Sequence, residues 1–161
     1  MGETVKVGIA ELKVAKAPIN LSTAGLGSCV GICLYDPQAK VGGLAHIMLP
    51  DSNQNKNSPN KAKFADTAVP ALISEMVKLG ASKSRIVAKI AGGAQMFVFS
   101  NASEVMRIGE RNVEAVKKAL AKEGIPLVAQ DTGGNYGRTI ELCTTTGNLY
   151  IRTIDHGEKI I

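Results

Sequence analysis

Two apolar runs, residues 28–35 and 41–49, are joined only by Asp36-Pro37-Gln38-Ala39-Lys40, and this spacing constrains the chain more than any other feature. Asp and Pro favour a turn, so the two runs read as a β-hairpin. Whether the turn pairs Tyr35 with Lys40 or Asp36 with Ala39, the ladder brings Cys29 directly across from His46. Directly opposed side chains share a face, with Cβ atoms about 4.5–5.5 Å apart. The other face carries Val30, Ile32, Leu34, Val41 and Ala45, a ready-made core face. A turn of odd length, or a bulge, would break this register.

A thiol beside an imidazole has chemical consequences. Neutral imidazole can take the thiol proton, the resulting ion pair lowers the cysteine pKa, and thiolate is the reactive form. His46, within Gly43-Leu44-Ala45-His46-Ile47-Met48, also fits a core-edge histidine with a satisfied hydrogen bond. Gly25-Leu26-Gly27-Ser28 before the cysteine can make a plain turn or bring backbone N–H groups to an oxyanion. Cys33 shares the face of Cys29, but this Cys-x-x-x-Cys spacing with one histidine lacks a fourth zinc ligand. No metal or cofactor is therefore expected. Cys33 and Cys143 read as small buried hydrophobes, and His156, in the polar tail 155–159, as solvated. Ala91-Gly92-Gly93-Ala94 is not followed by the Gly-Lys-Ser/Thr of a phosphate-binding loop. The single Asp131-Thr132-Gly133 would need a homodimer to act as an aspartic protease.

Residues 4–14 alternate as one strand, and residues 51–60, with four Asn, two Ser and a Pro, form a surface loop. A helix over 61–79 carries Phe64, Ala68, Leu72, Ile73, Met76 and Val77 at helical spacing, with Pro70 as an expected kink. A strand at 85–90, a helix at 110–122 and a strand at 127–130 follow. Residues 138–144 and 149–154 make a second hairpin around Thr146-Gly147-Asn148. Three strands, helix, strand, helix and three strands describe an α+β layered domain with largely antiparallel pairing, one domain over 1–161. The net charge of +5 is spread among acidic residues, and no stretch interleaves Arg with aromatics, which argues against nucleic acid. Three cysteines make no disulfide framework. The N-terminus lacks a signal-peptide core, and no run approaches the ~18 apolar residues that span a bilayer. A reducing, cytoplasmic setting without membrane insertion is expected.

Several segments together resemble a known family. Gly25-Leu26-Gly27-Ser28-Cys29-Val30, Leu44-Ala45-His46-Ile47-Met48-Leu49-Pro50 and Phe64-Ala65-Asp66-Thr67-Ala68 are similar to the bacterial and archaeal chemoreceptor glutamine deamidases, the CheD family. Ala91-Gly92-Gly93-Ala94-Gln95-Met96-Phe97, Ile108-Gly109-Glu110-Arg111-Asn112 and Asp131-Thr132-Gly133-Gly134-Asn135 continue the likeness in order. The resemblance implies an α/β/β sandwich related to deamidase toxins of the cytotoxic necrotizing factor type. It implies a Cys–His–Thr constellation at Cys29, His46 and Thr23, and deamidation of receptor glutamines through a thioester. It further implies the cytoplasmic helices of chemoreceptors as substrate and a CheC-type phosphatase as partner. Two other readings stay open: a docking module whose cysteine is incidental, and another thiol hydrolase such as a peptidase or transglutaminase.

Overall fold

The computed structural model describes residues 3–53, 59–95 and 107–161, so the middle of the Asn-rich stretch and Met96-Phe97 lie outside the described residues. Ten strands form two five-stranded sheets among these residues. The central sheet has the order β2 (Leu12–Lys16), β5 (Val41–Ile47), β4 (Val30–Asp36), β6 (Val87–Gly92), β7 (Leu127–Thr132). The outer sheet has the order β1 (Thr4–Lys6), β3 (Asn20–Leu26), β8 (Arg138–Leu142), β9 (Leu149–Arg152), β10 (Glu158–Ile160). Pairing is antiparallel except for β1 with β3 and β6 with β7.

Helices α1 (Ala65–Lys78) and α2 (Ile108–Lys122) pack Leu72, Met76, Val116 and Leu120 against Val30, Ile32, Leu34 and Ile47 of the central sheet. On the opposite face, Cys33, Leu44 and Ala91 meet Leu21, Ile140, Leu142 and Ile151 of the outer sheet. The layers are thus α/β/β, the expected architecture. A sheet covered on both faces has no polar side, which is why β4 and β5 read as unbroken apolar runs. The outer sheet is covered on one face only, so β8 and β9 alternate buried with more exposed residues. No helix among the described residues is long and apolar enough to cross a membrane.

The order of elements differs from expectation at three points. Residues 4–14 do not make one strand: β1 and β2 belong to different sheets, and the chain turns between them at Ile9 and Ala10, where Ala10 has φ 60°. Strand β3 was unexpected because Asn20–Leu26 lacks an alternating apolar pattern, one of its inward positions being Thr23. Strand β10 was hidden in a polar tail whose residues are all exposed. Helix α1 runs through Pro70, and both Pro70 and Asp66 are exposed, so the carbonyl deprived of its partner faces water.

The central hairpin forms with a register two residues away from the one expected. Asp36 pairs with Val41, and Gly31, not Cys29, stands across from His46. The carboxylate of Asp36 explains the turn. It accepts the N–H groups of Gln38 and Ala39, while Arg85 and the Ser82 N–H bind it from outside the turn. Fully buried and held in this way, Asp36 closes the ladder and leaves residues 37–40 as the turn, with Lys40 at φ 53°.

Candidate active site

A shift of two residues preserves the face of every side chain, because a strand repeats every two residues. Gly31 faces the outer sheet, since a Cβ there would lie 2.6 Å from Ile140 and 3.2 Å from Leu26. Its partner His46 therefore points into the space between the sheets, as do Cys33 and Leu44. Cys29 immediately precedes β4, where extension of the ladder would put it diagonal to His46, and it packs against the same inter-sheet cluster. Diagonal neighbours lie about 7–8 Å apart at Cα, within reach of a long or aromatic side chain. The His46 backbone is pinned by the Glu11 carbonyl, to which its N–H donates, and by the Ala10 N–H, which its carbonyl accepts.

Thr23 reaches the imidazole from the other sheet. Its Oγ1 lies 2.7 Å from His46 Nδ1 and 2.7 Å from the Val7 carbonyl oxygen, and both side chains are buried. The carbonyl can only accept, so the single hydroxyl proton of Thr23 goes to Val7. Thr23 Oγ1 must then accept from His46 Nδ1–H. This assigns the tautomer: Nδ1 carries the proton and Nε2 keeps its lone pair. Nε2 is buried and has no hydrogen-bond partner among the described residues, Cys29 included. His46 thus has the satisfied hydrogen bond of a core-edge histidine at Nδ1, with Nε2 left over.

Burial lowers the His46 pKa, favouring neutral imidazole. Cys29 is a free, half-buried thiol whose pKa is raised by burial, against a smaller lowering from its own backbone N–H. Both shifts favour the neutral forms.

The loop before Cys29 is tied down through its carbonyls. Those of Gly27, Ser28 and Cys29 accept from the Ala94 N–H, the Asn112 side-chain amide and the Gly93 N–H. The double glycine of residues 92–93 serves this approach: a Cβ on Gly92 would lie 2.3 Å from the Cys29 carbonyl oxygen, at φ 114°. Gly109 does the same for α2, since a Cβ there would meet the Ala94 carbonyl oxygen at 2.4 Å. Asn112 stands within one of the family-like motifs, and the sequence carries a signal for it. Asn112, Val116 and Leu120 fall at four-residue spacing, placing one polar residue in an apolar helical stripe. Thr23 had no such signal, because its role depends on contact between two sheets.

Other candidate groups lie elsewhere. Cys33 is 1% exposed and burial pushes its pKa up to about 12, in keeping with a buried hydrophobe. Cys143 is not in a strand; it follows β8 in a turn and is half-buried, and hydrogen bonds from Thr146 and Thr145 outweigh burial and lower its pKa. His156 is exposed but not simply solvated, because its ring stacks on Tyr136 with centroids 3.9 Å apart. Asp131 is paired with Arg138 at 3.0 Å and Lys159 at 3.2 Å. No group of three or more His, Cys, Asp or Glu side chains with metal-binding geometry occurs among the described residues. A groove of about 1350 Å³ on the outer sheet is lined by Val7, Thr23, Thr139, Tyr150 and Lys159, so it reaches Thr23 but neither Cys29 nor His46.

Comparison with known proteins adds a family to this geometry. A "Probable chemoreceptor glutamine deamidase CheD" of Syntrophomonas wolfei is 58% identical over 161 residues, covering 100% of both chains. A protein of the same description from Caldanaerobacter subterraneus is 59% identical over 157 residues, covering 98% of this chain and 97% of its own. Among solved structures, the hypothetical protein YfiH of Bacillus licheniformis aligns with a TM-score of 0.50 and 14% identity, over 75% of this chain and 49% of that one. That likeness bears on the fold alone. The family model described as CheD chemotactic sensory transduction matches residues 48–153, a span that starts beyond His46. Geometry, not that match, therefore carries the case for Thr23, Cys29 and His46. With a family model over most of its length and relatives above half identity end to end, the chain belongs to the CheD family.

Proposed function

We propose that this protein deamidates glutamine side chains of chemoreceptors, using Cys29 as nucleophile, His46 as general base and acid, and Thr23 to orient the imidazole. One observation carries the chemistry: the Thr23 bond commits the Nδ1 proton and leaves a buried Nε2, without a partner among the described residues, in the inter-sheet layer against which Cys29 packs. The names of the full-length relatives support the substrate.

His46 Nε2 takes the Cys29 proton as sulfur attacks the glutamine carboxamide carbon. The oxyanion forms beside the backbone N–H groups of the loop before β4. His46 returns the proton to the departing nitrogen, ammonia leaves and a thioester remains. Neutral His46 then takes a proton from water, and hydroxide attack releases glutamate and restores the thiol. Overall, glutamine and water become glutamate and ammonia, with no metal or cofactor.

Residues 1–161 act in this reading as one deamidase domain in the cytoplasm. Its mildly basic charge suits acidic receptor helices. The family resemblance adds a CheC-type phosphatase as partner. Mass spectrometry of a receptor fragment tests the reaction, since deamidation adds about one mass unit without cutting the chain, unlike a peptidase. Cys29→Ala should abolish the shift. A shift that persists at the wild-type rate refutes Cys29 as nucleophile and leaves its cysteine incidental to docking.

A further inference from the structure

Asn112 is fully buried on α2, and its Nδ2 donates to two carbonyls, Ser28 at 2.9 Å and Met48 at 3.0 Å. The first belongs to the residue before Cys29, and the second lies just beyond His46. Both partners only accept, so the amide nitrogen must face them and the carboxamide orientation is settled. Its Oδ1 has no partner among the described residues. Only two buried side-chain atoms there are so left, and the other is His46 Nε2. A buried amide with one idle end costs stability relative to an apolar residue, so packing alone does not account for it.

The planarity of the peptide unit turns this clamp into a statement about the nucleophile. In a trans peptide the carbonyl and the following N–H point in opposite directions. Asn112 draws the Ser28 carbonyl toward α2, so the Cys29 N–H points away from it. The Ala94 N–H holds the Gly27 carbonyl and orients the Ser28 N–H in the same way. Neither N–H donates to a backbone carbonyl among the described residues. We propose that Asn112 is a positioning residue, which fixes Cys29 relative to His46 and turns the Cys29 N–H toward the substrate oxyanion. This rests on the deamidase reading above.

Asn112→Leu removes both amide ends and keeps an apolar side chain in the stripe. Deamidation kcat should fall about 10- to 100-fold, less than the ~100- to 1000-fold of a removed oxyanion donor because the Cys29 N–H is misaligned and not lost, with KM within about threefold. A purely structural role would not move a second readout, the pH profile of Cys29 alkylation by iodoacetamide in a Cys143→Ser background. Asn112→Leu should make that profile match His46→Ala. Wild-type kcat together with a wild-type profile would overturn the proposal. If Asn112→Leu fails to fold, exchange of the Asn112 side-chain amide protons in the unmodified protein decides: slow exchange supports the clamp, and exchange as fast as an exposed Asn refutes it. Cys29→Ala run in parallel separates the two readings. Activity in that variant removes the deamidase mechanism, whereas an inactive Cys29→Ala beside a fully active Asn112→Leu removes only the role of Asn112.

Discussion

Replacing Thr23 with Val exchanges one buried hydroxyl for a methyl and leaves the side-chain shape nearly intact. The hydroxyl makes two bonds of 2.7 Å, accepting from His46 Nδ1–H and donating to the Val7 carbonyl. When His46 becomes an imidazolium during attack, the first bond is charge-assisted, and such bonds contribute about 1.5–3 kcal/mol. At 1.36 kcal/mol per tenfold, kcat should fall about 10- to 150-fold, while KM hardly changes. Two buried groups also lose their partner, at about 1–3 kcal/mol each, so Tm should drop by about 5–15 °C. The assay is ammonia release from a receptor fragment at saturating substrate, well below the variant's Tm. Nitrogen-15 NMR of the imidazole should show Nδ1 protonated in the unmodified protein and lose that preference in Thr23→Val. Thr23→Ser retains the hydroxyl and should stay within about threefold of wild-type kcat. A Thr23→Val enzyme within about twofold of wild type would refute the orienting role, and an Nε2–H tautomer in the unmodified protein would refute the proton assignment.

The proposed mechanism needs neutral His46, whose pKa burial holds below its ordinary 6.5, so the acid limb of kcat/KM should have its midpoint below that value; a midpoint above it contradicts the reading. Burial by itself would raise the Asp36 pKa, but Arg85 and the Ser82, Ala39 and Gln38 N–H groups hold it at about 2 against an ordinary 3.8. Its ionised form therefore stabilises the fold above pH 3.8, that stability is lost as pH falls toward 2, and Asp36→Asn should flatten Tm over this window. Gly92→Ala sets a Cβ 2.3 Å from the Cys29 carbonyl at positive φ, and should cost about 2–5 kcal/mol in denaturant unfolding and reduce deamidation. Iodoacetamide at neutral pH should modify Cys143 before Cys29 and leave Cys33 untouched, as peptide mapping would read out, because only the Cys143 thiol is pulled down in pKa.

The central hairpin, the two helices and the return of the chain through β8 and β9 were legible in the sequence, because turn residues and periodicity of apolar side chains are local properties. Which face of the hairpin carries Cys29 and His46 was legible too, since parity survives an error of two in register. The register itself was not. It depends on Arg85 and Ser82, remote in sequence, gripping Asp36 at the turn. Strands β1, β2 and β3 escaped for a related reason: short segments with mixed polarity become strands only when a neighbouring sheet edge accepts them. The site divides along the same line. Cys29 and His46 could be placed on one face by parity within one hairpin, though not directly opposite each other, whereas Thr23 entered only through family likeness and Asn112 not as a functional residue at all. Thr23 meets His46 across the gap between two sheets, and Asn112 meets the nucleophile loop from a helix on the far side. Contacts between layers leave no period in the sequence, so only the packed fold could decide which hydroxyl holds the imidazole and which amide holds the loop.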